Sequence, residues 1–212
     1  MEVMENIESR AVNEVPVHDL IARRWSPREF SDRPVEPEKL SSLFEAARLA
    51  PSSYNQQPWS FVVARRENSS DFARLLGLLV EQNAAWARSA PVLAVSVAQR
   101  NFTHNGQPNR FAFHDVGQAV AYLTMQATAL GLSVHQMGGF DVERARELLA
   151  IPAGYEPVAA IALGYAQDPA APPPSARPRR AASEFVFSGV WGKTREVTSD
   201  EAQSLFVPLR PL

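Results

Sequence analysis

From Val116 to Phe140 the chain carries no Asp, Glu, Lys or Arg, and this run constrains the fold more than any other feature. Within it Val116, Val120, Leu123, Ala127 and Leu130 alternate four and three residues apart, the spacing of one helix face. Gly131 offers a stop, and Ser133–Met137 reads as a strand. Gln118, Thr124, Gln126, Thr128, Ser133 and Gln136 interrupt the run; such groups are costly in a bilayer but are readily satisfied inside a protein. A helix from about Asp115 to Leu130 therefore belongs in a core or an interface, not in a membrane.

A helix this apolar needs covering, and the flanking patterns supply it. A short helix is expected from Pro16, with Val17, Leu20 and Ile21 on one face. A second starts near Pro37, spaces Leu40, Leu43, Phe44 and Ala47 along one side, and stops before Pro51. Ser60–Arg65 reads as a strand. Asp71 is placed to cap a helix carrying Phe72, Leu75, Leu76 and Leu79, and the Val-rich run Pro91–Ala98 as a buried strand. An irregular loop fills 99–112. Gly138-Gly139 forms a turn, Asp141 caps a helix through Leu149, and Pro157–Tyr165 is a further strand. Residues 1–15 form a flexible polar arm, and 16–212 a single domain. That domain includes a proline-rich connector over 169–178 and a tail whose short helix opens at Ser199. Helices and strands alternate without regular βαβ units, so the class is α+β.

Several functions are excluded early. There is no cysteine, which removes thiolate metal sites, iron–sulfur clusters and cysteine nucleophiles. No metal site is expected, because His18, His104, His114 and His135 lack ligand spacing. A net charge of −2 gives no nucleic-acid footprint. Neither G-x-x-x-x-G-K-[ST] nor G-x-G-x-x-G at a strand-to-helix turn is present. The acidic N-terminus has no apolar core of a leader, and a cytoplasmic location is expected. His114-Asp115 is a minor acid–base option, because neighbours at a helix start point in different directions.

Of 21 cations only Lys39 and Lys193 are lysines. Arginine forks suit bidentate anion binding, and two clusters stand out: Arg23-Arg24 with Arg28, and Arg177-Pro178-Arg179-Arg180. In Arg24-Trp25-Ser26-Pro27-Arg28-Glu29-Phe30 cations flank a hydroxyl, which makes an anion seat. The turn Pro51-Ser52-Ser53-Tyr54-Asn55-Gln56-Gln57-Pro58-Trp59 is a rigid array of short hydrogen-bonding groups, suited to a polyol or the edge of a heterocycle.

R-x-S-x-R-x-F followed by P-S-S-x-N-x-Q-P-W resembles the nitroreductase family of flavin enzymes. Further pieces follow in family order: Ala129-Leu130-Gly131-Leu132, Met137-Gly138-Gly139-Phe140, Pro157–Tyr165 and Arg177–Arg180. The resemblance spans roughly residues 16 to 192. It implies a nitroreductase-like α+β fold with a mixed central sheet flanked by helices, and a C-terminal extension reaching the partner subunit of a homodimer. It implies FMN at the subunit interface, NADH or NADPH as electron donor, and a small-molecule acceptor such as a nitroaromatic or quinone reduced by a ping-pong mechanism. By the same resemblance Arg24, Ser26, Arg177 and Arg179 hold phosphate and ribityl chain, with Trp25 packing beside them. Arg28 sits near flavin N1 and O2. Pro51, Ser52, Ser53, Asn55 and Gln57 reach the cofactor from the partner subunit, and Gly138 and Gly139 present backbone to the ring near N5. The flavin carries the chemistry, so no catalytic side chain is implied. Arg88 is a further candidate for N1 and O2, and loop 99–112 resembles the family's variable substrate-gating region. Alternatives are an FMN storage or sensor module without turnover, or a relative with another flavin reaction (reductive dehalogenation, flavin fragmentation).

Overall fold

The computed structural model describes residues 16–168 and 178–193. The chain divides into two compact units, Met1–Pro174 and Ser175–Leu212. The boundary falls in the proline-rich connector, which apart from Pro178 lies outside the described residues, as do the 1–15 arm and the helix expected at Ser199.

In the first unit four strands, β1 (Trp59–Arg65), β2 (Val92–Gln99), β3 (Ser133–Met137) and β4 (Tyr155–Gly164), form a sheet in the order β1-β2-β4-β3. Helices α2 (Pro37–Arg48) and α5 (Ala112–Ala129) pack on one face. Helices α3 (Ser69–Leu76), α4 (Glu81–Ala87) and α6 (Val142–Leu148) cover the other. Strand β2 explains the sandwich: Val92, Ala94 and Ala98 enter the core under α2 and α5, while Leu93, Val95 and Val97 enter the opposite one. A strand covered on both faces reads as a continuous apolar run, and this one does. Among the described residues no helix is long and apolar enough to cross a membrane.

The structure corrects several expectations. Every strand pairing is antiparallel, so the sheet is not mixed among the described residues. Strand direction is set by connections: α3 with α4, and α6, each return the chain beside the strand it left. The first helix, α1 (Asp19–Arg23), begins after Pro16, because His18 Nδ1 accepts the Leu20 N–H at 3.2 Å and caps it. Asn68, not Asp71, caps α3, and α5 starts three residues before Asp115. Strand β4 starts ahead of Pro157. Ser96 pairs with Ala159 and Val97 with Pro157, so Val158 is an extra residue, and this bulge absorbs a proline that cannot donate to a ladder. The Ser96 hydroxyl donates to Ala159 O at 3.2 Å beside it. As expected, Gly131 at φ 74° closes α5, with Leu132 N–H returning to Ala127 O at 2.8 Å.

A polar clamp ties the start of α2 to the residue after β4. The Tyr165 hydroxyl donates to Glu36 Oε2 at 2.6 Å and accepts from Lys39 Nζ at 2.7 Å, while the Arg33 guanidinium covers the Tyr165 ring at 4.1 Å. The Tyr165 hydroxyl first, then a backbone hydrogen bond and after it Arg33, hold the Glu36 carboxyl pKa at about 2, against an ordinary 4.5. A depressed carboxyl contributes stability that is present above 4.5 and is lost as pH falls toward 2. Urea unfolding should therefore show Glu36→Gln less stable than the parent at pH 6, with a gap that narrows steadily below pH 4.5. A gap independent of pH would remove the carboxylate from this role.

Candidate functional site

The Arg24–Phe30 segment is anchored by its apolar members. Pro27 and Phe30 are buried, whereas Arg24, Trp25 and Ser26 are half-buried and Arg28 is exposed. Arg24 Nη1 donates to Ser26 Oγ at 3.2 Å, which sets a guanidinium beside a hydroxyl. The Phe30 N–H donates to Ser89 Oγ at 3.3 Å, and its ring stacks on Trp86 at 6.4 Å. His135, in the middle of β3, reaches Pro27 O from Nδ1 at 2.8 Å.

The Pro51–Trp59 turn is held at the opposite edge of the sheet, where it enters β1. Tyr54 and Asn55 have φ of 53° and Gln57 of 49°. Left-handed backbone costs non-glycine residues of order 1–3 kcal/mol and persists where surroundings impose it. Here they do. The Ser53 N–H donates to Asp115 Oδ2 at 2.9 Å and the Gln57 N–H to Ser52 Oγ at 2.9 Å, while Gln56 Oε1 accepts from Thr103 N and Oγ1, both at 3.1 Å. Asp115, only 2% exposed, is spent on this turn rather than on capping its own helix. Contrary to expectation, His114 does meet its neighbour: Nδ1 lies 3.1 Å from Asp115 Oδ1 and 3.1 Å from Gln118 Nε2. Pro51, Ser52, Ser53, Phe111, His114, Asp115 and Gln118 line an open recess of about 320 Å³.

At the end of β3 the two glycines differ in kind. Gly139 O accepts from Val80 N at 3.1 Å and from Asn83 Nδ2 at 3.0 Å. A Cβ on Gly139 would lie 2.7 Å from Asn83 Nδ2 and 2.9 Å from Val80 Cγ2, so packing demands glycine there. A Cβ on Gly138 would meet nothing within 4 Å. Gly138 is exposed, and its carbonyl accepts from the Phe140 N–H at 3.1 Å.

Of the other expected residues, Arg177 lies outside the described ones. Arg179 is exposed in the second unit, where Arg180 covers the Phe185 ring at 5.6 Å. Arg88, at the end of α4, donates from Nε to Ala84 O at 3.3 Å. The structure thus brings Arg24, Ser26 and Gly138 to the β3 edge and Ser52, Ser53, Asn55 and Gln57 to the β1 edge. With β2 and β4 between them, the outer strands stand about 14 Å apart at ordinary strand spacing. Among the described residues no group of three or more His, Cys, Asp or Glu is placed to hold a metal. Sequence reasoning missed Asn83, Trp86, Ser89 and His135. Only His135 left a signal, as a histidine in the middle of a short strand.

The fold of this chain is shared by solved structures. An FMN-containing oxidoreductase matches with a TM-score of 0.80 at 33% identity, covering 89% of this chain and 99% of that one. A nitroreductase family protein of Clostridium difficile matches with a TM-score of 0.67 at 25% identity, covering 81% and 96%. The NADH dehydrogenase of Thermus thermophilus is 33% identical over 171 residues, 68% of this chain and 83% of that protein. The nitroreductase family model matches residues 21–165, and the chain belongs to that family.

Proposed function

We propose that the protein is an FMN-dependent oxidoreductase that passes electrons from NADH or NADPH to a small conjugated acceptor, a nitroaromatic or quinone, in the cytoplasm. The observation that carries this reading is the grouping at the β3 edge. Arg24 and Ser26 stand side by side in the segment that His135 of β3 holds through Pro27, and Gly138 at the end of β3 has open space where a side chain would stand. Those residues fit FMN, a phosphate at one end and a flat ring at the other. When bound, FMN supplies two-electron transfer at its ring. Arg24 and Ser26 hold the phosphate and ribityl chain, with Trp25 packed beside them, and by the family resemblance alone Arg177 and Arg179 are further candidates for the phosphate. Arg28 stands at N1 and O2, where reduction places negative charge. Gly138 lets the backbone approach the ring near N5, beside the packed Gly139. Purified protein should show the oxidised flavin spectrum, and NADH or NADPH should bleach it. Continued NAD(P)H consumption with a quinone separates an enzyme from a flavin store or sensor.

The same reading places Pro51, Ser52, Ser53, Asn55 and Gln57 on the cofactor of the partner subunit, since each chain keeps its turn at the edge away from its own Gly138. Exposed apolar surface supports a homodimer. Ile21 of α1 is 57% exposed, with Phe111 and Tyr122 at α5, and in the second unit Trp191 is 91% exposed. Light scattering at micromolar concentration should give about twice the 23.4 kDa chain mass. A flavin-loaded monomer would contradict the shared site.

A further inference from the structure

Arg24–Phe30 and Gly138-Gly139 are distant in sequence, yet one node joins them. His135 sits three residues before Gly138 and reaches Pro27 O from Nδ1 at 2.8 Å. A carbonyl only accepts, so Nδ1 carries the proton. Proline has no N–H, and Pro27's carbonyl is therefore the one backbone hydrogen-bonding group by which this buried residue can be fixed. The His135 ring packs on Trp86 at 4.5 Å, and Trp86 in turn stacks on Phe30. Helix α4, which supplies Trp86, also supplies Asn83 to Gly139 O, and Ser89 just beyond its end receives the Phe30 N–H. Both halves of the cradle thus hang on α4 and β3.

We propose that His135 is a positioning residue that sets Ser26-Pro27-Arg28 at a fixed spacing from the Gly138 turn. This role rests on the FMN reading above. FMN must satisfy the phosphate seat and the ring-facing backbone together, so an error in their spacing weakens it. Riboflavin has no phosphate, so of the contacts made by the segment it can lose only those of the ribityl chain and of Arg28. Loss of His135 therefore weakens FMN more than riboflavin and lowers the preference between them.

The two functions of the side chain can be separated. His135→Phe keeps a ring against Trp86 and removes the donor, whereas His135→Asn keeps a donor near the position of Nδ1 and removes the ring. Apoprotein would be titrated with FMN and with riboflavin, following flavin fluorescence. The loss of one hydrogen bond predicts about fivefold weaker FMN binding in His135→Phe, with riboflavin within about twofold of the parent and FMN binding largely restored in His135→Asn. An unchanged FMN-to-riboflavin ratio in His135→Phe, or equal losses for both flavins, overturns the role. If His135→Phe does not fold, His135→Asn and His135→Ala decide the same question: a ratio kept by Asn and lost by Ala supports it, and equal ratios overturn it. Parent protein with no affinity for FMN would overturn the FMN reading and this role together. FMN binding by the parent with an unaltered ratio in the variants would overturn the role of His135 alone.

Discussion

Arg24→Ala should weaken FMN binding roughly ten- to a hundredfold while leaving riboflavin binding nearly unchanged. The Arg24 guanidinium is half-buried and already turned toward Ser26 Oγ at 3.2 Å, so little freedom remains to be lost when a phosphate arrives. A hydrogen bond to a charged group contributes about 1.5–3 kcal/mol, and the dianionic phosphate offers arginine two oxygens at once. Arg24→Lys should recover only part of the loss, because an ammonium is a point donor that cannot bridge them. Titration of the apoprotein with both flavins measures all of this. Parallel losses for FMN and riboflavin would take the phosphate away from Arg24.

The two motifs at the front of the chain were legible because each is a short contiguous stretch of distinctive residues. The contacts that hold them, His135 to Pro27 and Asp115 to Ser53, come from far along the chain. Helix α2 was legible for the same reason, since Pro37 sits where a helix tolerates it and Leu43 and Ala47 face one core. What stayed hidden depends on contacts made across the fold. Helix α4 reads Glu81-Gln82-Asn83-Ala84-Ala85-Trp86-Ala87, and of these only Ala87 is buried, so no apolar stripe announces it. Its purpose is to hold Gly139, His135 and Phe30, and those partners lie far away in sequence. Asp115 looked like a helix start because a short carboxylate usually caps its own helix; here Ser53 claims it. Pro157 read as a strand boundary since a bulge leaves no local mark. The antiparallel course of the sheet was equally silent, because periodicity records which residues face the core and not which way a strand runs.

The sharpest electrostatic test falls on Arg28. Its side chain is exposed, and Pro27 beside it is buried and hydrogen-bonded to His135, so the backbone that aims it is fixed. Two-electron reduction of a flavin concentrates negative charge at N1 and the C2 carbonyl. A guanidinium held there stabilises the reduced cofactor and the charge developing as hydride arrives. Arg28→Gln keeps length and hydrogen bonding but removes the charge. It should lower the flavin reduction potential and slow reduction by NADH or NADPH. Removing one preorganised donor commonly costs about 3 kcal/mol, a hundredfold or more in rate, and water at an open interface site would lessen this severalfold. Under the proposed function donor and acceptor use one ring face in turn, and double-reciprocal plots should then be parallel lines in both parent and variant. Stopped-flow reduction and a redox titration against a dye measure the two effects separately. A variant whose potential and reduction rate both match the parent would place Arg28 away from N1. Intersecting lines in the parent would instead mean that donor and acceptor occupy the enzyme together, and the shared face would have to be given up.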